Sequence, residues 1–148
     1  MPSQRQDRAV DAPRRFQDRA VIMPCLCYRD ARAAIDWLET AFGFETKVAY
    51  EGPGGSIAHA ELRIGSSYVM LGTQKQDPFN WTTPEQAGVS TQMIYVVVDD
   101  ADAMFDRVSK LDADIVRPLA DTDYGSRDFS VRDPEGHIWN FGTYHPDD

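Results

Sequence analysis

The chain has 148 residues, 42% of them hydrophobic and 26% charged, with a net charge of −9. That composition excludes wholesale disorder and suits one domain or two small fused modules. An acidic body repels phosphate backbones, so nucleic acid is not an expected partner.

The acid is unevenly spread. Residues 1–20 hold five arginines against three aspartates, so the remainder is more acidic than the whole. Residues 1–19 are polar and lack apolar periodicity, which predicts an Arg-rich N-terminal arm ahead of a domain over 20–145. No stretch approaches the roughly 18 apolar residues of a membrane span, so no membrane partner is expected. The first twenty residues lack an apolar signal core, and only Cys25 and Cys27 are present. Both features lead us to expect a cytoplasmic protein.

In chain order, Val21–Tyr28 reads as a strand. Asp30 is a good helix N-cap, and Ala31–Phe42 follows as a helix with Ile35, Leu38 and Phe42 on one face, stopped by Gly43. Phe44–Tyr50, Ser56–Ile64 and Tyr68–Leu71 read as strands, the first two joined by the Glu51–Gly55 turn. Module one thus spans 20–73 as β-α-β-β-β. Residues 74–91 form a Pro-containing connector with Phe79 and Trp81. Module two spans 92–145: a strand at Met93–Val98, a helix capped by Asp99 or Asp100, and strands at Ile115–Leu119, Ser126–Arg132 and His137–Gly142.

The second half repeats the first. A shift of 70 residues superposes Met23 on Met93, Asp30 on Asp100, Ala31 on Ala101, Gly55 on Gly125, Gly72 on Gly142 and Thr73 on Thr143. These identities fall on caps, turns and strand ends, which marks two tandem copies of one unit. The predicted fold class is α+β, with the two modules forming a cup-shaped mixed sheet.

Two segments carry a family resemblance. One is Cys27-Tyr28-Arg29-Asp30-Ala31-Arg32-Ala33-Ala34 with the ending Ala41-Phe42-Gly43-Phe44. The other runs from Tyr124 to Phe141 through Asp133-Pro134-Glu135-Gly136-His137. Together they resemble the vicinal oxygen chelate superfamily, which includes glyoxalase I, extradiol dioxygenases and bleomycin-resistance proteins. The resemblance covers residues 21–145. It implies a cup of two modules, helices packed outside it, and a homodimer. It also implies a divalent metal held from the first and last strands of each module. In this chain the four corresponding positions are Met23, Met70, Met93 and Asn140. Three thioethers and a neutral amide are poor ligands for Zn²⁺, Mn²⁺, Fe²⁺ or Ni²⁺. Methionines at such positions favour a pliable apolar lining. No metal and no other cofactor is therefore expected.

Side chains alternate along a strand, so Cys25 shares the Met23 face and Tyr95 the Met93 face. His59 and Glu61 share a face by the same rule. The apolar alternation of Ala58, Ala60, Leu62 and Ile64 turns that pair toward the cup. The repeat instead matches His59 with Phe129, a core-like position. A one-residue slip would reconcile the two signals. His137 and His145 are expected in solvent. Arg127, Asp128, Arg132 and Asp133 are expected to form a surface ion-pair cluster about the last hairpin, and Phe79 with Trp81 an aromatic lip or ordinary packing.

The expected cup residues are Met23, Cys25, Met70, Met93, Tyr95, Asn140, His59 and Trp81. The implied function is a metal-independent small-molecule binder of the bleomycin-resistance type, taking an aromatic or cationic, antibiotic-like ligand. One alternative is a superfamily lyase, isomerase or dioxygenase with a displaced metal site at His59 and Glu61. Another is a scaffold or regulatory dimer.

Overall fold

Residues 19–148 are described in a computed structural model of the chain; the Arg-rich arm lies outside them apart from its last residue. Module one comprises β1 (Cys25–Tyr28), α1 (Ala31–Phe42), β2 (Glu45–Glu51), β3 (Ile57–Ile64) and β4 (Ser67–Thr73). The connector holds one short helix, α2 (Pro84–Ala87), begun by the Thr83 hydroxyl accepting from Gln86 N. Module two comprises β5 (Ile94–Val97), α3 (Ala101–Ser109), β6 (Asp114–Asp121), β7 (Arg127–Arg132) and β8 (Ile138–Gly142). No helix among the described residues is long and apolar enough to cross a membrane.

Each module folds its strands the same way. The sheet orders are β1-β4-β3-β2 and β5-β8-β7-β6, with the first strand parallel to the last in both. Cys25 pairs with Met70, and 70 residues on Tyr95 pairs with Asn140. The tandem β-α-β-β-β modules of the α+β class are thus present, and the repeat holds in strand register as well as in sequence. The eight strands form two separate four-stranded sheets, not one hydrogen-bonded sheet. The backbone hydrogen bonds of each sheet close within its own module, and the contact between modules runs through side chains and helices.

That contact is apolar. Leu26, Tyr28, Leu62 and Leu71 from one sheet and Phe129, Val131, Trp139 and Phe141 from the other are all buried in one core cluster with α1. Phe42 of α1 packs its ring 5.2 Å from Trp139 and 4.7 Å from Phe141. Helix α1 also meets α3, whose Arg107 donates to the Thr40 carbonyl at 2.9 Å and the Glu39 carbonyl at 3.2 Å. This cation finishes the C-terminus of α1 where Gly43 turns the chain left-handed, at φ 81°. The other face of each sheet points away from the shared core.

Candidate functional site

On module one the outward sheet face carries a cavity of about 570 Å³. Its floor is made by β1 and β4. Cys25 and Cys27 point into it from β1, Met70 and Gly72 from β4. A Cβ on Gly72 would lie 3.0 Å from the Ala58 carbonyl oxygen, so a side chain there would crowd the neighbouring strand. Phe79 and Trp81 of the connector form the rim, their ring centroids 6.5 Å apart and steeply inclined. Phe79 is 80% exposed, more than ordinary packing of a connector would leave it.

His59 reaches the cavity through an irregularity in β3. The β2–β3 pairing passes from Tyr50 with His59 to Glu51 with Ile57, and Ala58 has no partner on β2. This is a β-bulge. Its effect shows against the repeat: Ala60 pairs with Leu71 in module one, whereas its counterpart Ser130 pairs with Asn140 in module two. The extra residue reverses the facing of β3 from His59 onward. Ala60 and Leu62 enter the core, and His59 lines the cavity although its repeat counterpart Phe129 is fully buried. The Nε2 of His59 lies 2.9 Å from Glu61 Oε2, and the Tyr50 ring stacks on the imidazole at 6.5 Å.

The thiols differ. Cys27 is buried, and burial, followed by the charges of Glu135 and Asp77, pushes its pKa up. It stays protonated and is a weak nucleophile. Cys25 is exposed, with its sulfur 3.8 Å from the Met23 carbonyl.

Of the expected cup residues, Cys25, His59, Met70 and Trp81 line this cavity, and Met93, Tyr95 and Asn140 belong to the other module. Met23 precedes β1 and is half-buried. Met93 is 63% exposed just before β5. The Asn140 amide is already engaged: its oxygen accepts from Ser130 Oγ at 2.6 Å and its nitrogen donates to the Ile94 carbonyl at 3.3 Å. The four positions that the resemblance assigns to a metal therefore offer three neutral thioethers and a committed amide. They do not fit a hard or borderline divalent ion. Among the described residues no cluster of three His, Cys, Asp or Glu side chains is placed to hold one elsewhere.

A larger cleft of about 770 Å³ lies between Trp37, α2 and the turn before β8. Its arginine and its buried aspartate are already partnered. Arg132 donates to Asp114 at 2.9 Å. Asp133 accepts from Tyr28 and Trp139 side chains and from the backbone of Glu135 and His137. That cleft is the seam between modules.

The last hairpin also departs from expectation. Arg127 pairs with Asp102 and Asp121 at 2.8 and 3.0 Å, not with the adjacent Asp128. Asp133 is 3% exposed and serves the core. His137 is not solvated: its Nε2 is 2.8 Å from the Cys27 carbonyl and its ring lies 4.8 Å from that of Tyr28. His145 is exposed at the C-terminal end, as expected.

Comparison with known proteins agrees with this architecture. Uncharacterized proteins of Mycobacterium bovis (Mb0911c) and Mycobacterium tuberculosis (Rv0887c) are each 35% identical over 123 residues. The match covers 82% of this chain and 81% and 72% of those proteins. The crystal structure of TioX from Micromonospora sp. ML1 is 34% identical and superposes with a TM-score of 0.70, covering 85% of this chain and 99% of that one. The fosfomycin resistance protein FosX from Mesorhizobium loti is 22% identical, with a TM-score of 0.62 over 86% of this chain and 94% of that one. FosX from Listeria monocytogenes, solved with Mn(II) and sulfate, is 11% identical, with a TM-score of 0.64 over the same shares; these two show the shared fold. A family model matches residues 19–141, nearly the whole described chain, and the protein therefore belongs to the glyoxalase/bleomycin resistance protein/dioxygenase superfamily.

Proposed function

We propose that this protein binds a small planar aromatic molecule in the module-one cavity and that a second copy of the chain closes the cavity from above. The cavity wall carries the reading: a floor of sulfur and bare glycine under a rim of exposed Phe79 and Trp81. Thioether and thiol sulfurs make favourable contacts with aromatic rings, and a cavity of this size suits a drug-sized ligand. The FosX proteins share the fold, and one of them was solved with Mn(II). A metal-dependent reaction is disfavoured for this chain, because the corresponding side chains are Met23, Met70, Met93 and Asn140. His59 with Glu61 offers one imidazole and one carboxylate, already paired with each other, and the pair serves as a polar contact for the ligand.

The second copy is suggested by the outward face of module two. Met93, Tyr95, Val97 and Val116 are all among its exposed large apolar residues. A patch of this kind on a sheet face is a common mark of an interface.

Titration with 2-naphthol, followed by quenching of tryptophan fluorescence, tests the binding. Saturable binding that survives EDTA and weakens at least fivefold in Phe79→Ala and Trp81→Phe is expected. Absence of saturation, or loss of binding on chelation, would overturn the reading.

A further inference from the structure

The repeat supplies an image of an occupied cavity. On module two, Tyr95 is the counterpart of Cys25 and Gly142 that of Gly72. The Tyr95 ring lies over Gly142: a Cβ there would come within 2.9 Å of Tyr95 Cε2 and would also meet the Asp128 carboxylate. The Tyr95 hydroxyl donates to the Tyr144 carbonyl at 2.7 Å. On module one the side chain of Cys25 ends at its sulfur, and Gly72 lines the cavity with the bulged Ala58 carbonyl at its flank, 3.0 Å from where a Cβ would stand.

Apart from the Ala58 bulge beside Gly72, the two frameworks match at the adjoining strand ends. Ile57 N donates to Thr73 Oγ1 at 2.9 Å, and its counterpart Arg127 N donates to Thr143 Oγ1 at 3.0 Å. One residue later the chains part, since Gln74 N bonds to the Tyr28 carbonyl whereas Tyr144 N bonds to Ser126 Oγ. The repeat therefore fixes where a ring fits and leaves its polar partner to residues that module one has for itself.

Building on the small-molecule binding proposed for module one, we infer that its cavity takes a phenol-type ring lying flat on Gly72, in the place where the second module lays its own Tyr95 on Gly142. The partner for a donor on that ring is Asp77, which lines the cavity beyond Gly72. Its Oδ1 accepts the Phe79 N–H at 2.9 Å, and among the described residues its Oδ2 takes no hydrogen bond. The ligand class is thus a planar ring bearing a hydroxyl or ring N–H. A volume of about 570 Å³ exceeds a single ring, so the ring is fused or substituted, with its remainder between Met70 and the Phe79–Trp81 rim. The second module, by contrast, covers the corresponding glycine with its own Tyr95.

The decisive variant is Cys25→Tyr, which copies module two onto module one. Binding of 2-naphthol is compared with that of 2-methoxynaphthalene, which has the same ring without the donor. Wild-type protein should bind 2-naphthol about ten- to hundredfold more tightly than the ether, the scale of one hydrogen bond to a charged acceptor. Cys25→Tyr should lose at least tenfold in affinity for both. In the wild type, bound 2-naphthol should also slow labelling of the Cys25 thiol by N-ethylmaleimide, a readout that needs no variant to fold. Equal affinity for the two probes overturns the donor class. Unchanged binding in a folded Cys25→Tyr, or unprotected Cys25, overturns the ring position. Failure of both probes to bind the wild type overturns the small-molecule binding itself, and the ring position and donor class with it.

Discussion

The Tyr28 hydroxyl of module one donates to Asp133 Oδ2 of module two at 2.6 Å, across 105 residues of sequence and inside the core. The same carboxylate takes the Trp139 indole N–H at 3.1 Å and two backbone N–H groups of its own turn. The next acidic residue, Glu135, accepts from the backbone of Arg29 and, at 3.0 Å, of Asp30, where α1 begins. A carboxylate is well placed against the free N–H groups ahead of a helix. The Asp133–His137 turn is therefore a joint between the modules, and it holds β1 in place beneath the cavity.

Alkali should open this joint. Burial, reinforced by the Asp133 charge, raises the Tyr28 pKa well above its ordinary value. A raised folded-state pKa means that the folded protein holds the proton more tightly than the unfolded chain does. The resulting stability is fully present below about pH 10, the unfolded tyrosine value, and is lost as pH rises from there toward the folded value, at up to about 1.4 kcal/mol per unit. Tyr28→Phe should cost about 1–3 kcal/mol at pH 8, because Asp133 loses one donor while buried. It should also flatten the alkaline decline. Tyr95 and Tyr124 are raised as well, so the difference between wild type and variant is what counts. Urea unfolding at pH 8 to 11 measures it, and parallel declines of the two proteins would contradict the assignment.

The joint also marks what could be read from sequence. The repeat was legible because its identities sit at helix caps and turns, where local chemistry dictates residue type. Asp30 and Asp100 both accept from the N–H three residues on, at 3.0 Å, as good N-caps do. The bulge at Ala58 left only conflicting facing signals around His59, since an unpaired residue is a property of backbone register. His137 looked solvated because its partners, Tyr28 and the Cys27 carbonyl, lie in the other module. Asp133 stands beside Arg132 in sequence, yet it accepts from Trp139, from the N–H groups of its own turn and from Tyr28 of the other module, and spacing along one hairpin cannot reveal that last partner. The expected cup residues divide between two sheets because each module closes its own hydrogen-bond ladder.

That division leads to an expectation about assembly. Tyr95 and Val97 are 42% and 40% exposed on the outward face of β5, beside Met93 at 63%. Light scattering at micromolar concentration should give a dimer. Val97→Asp, which sets a charge in the patch without entering the core, should raise the dissociation constant at least tenfold and leave the low-concentration circular dichroism spectrum unchanged. A wild-type monomer at those concentrations would remove the second copy from the proposal.

Metal should leave the protein indifferent. A dehydrated divalent ion at Met23 and Met70 on module one, or at Met93 and Asn140 on module two, would exchange strong water ligands for neutral thioethers or for one thioether and one amide. The amide would also have to abandon Ser130 and the Ile94 carbonyl. Treatment with EDTA should therefore leave the melting temperature unchanged, since no bound ligand is withdrawn from the folded state. Added Mn²⁺, Zn²⁺ or Ni²⁺ should give no saturable stabilisation, whereas a site filled at a hundred times its dissociation constant would add about 2.7 kcal/mol. Replacing Met93 by His together with Asn140 by Glu puts an imidazole and a carboxylate on module two, and this variant alone should gain stability on adding Zn²⁺ or Ni²⁺. Elemental analysis that finds close to one transition metal per wild-type chain, lost on His59→Ala, would reverse the conclusion and make the His59–Glu61 pair part of a metal site.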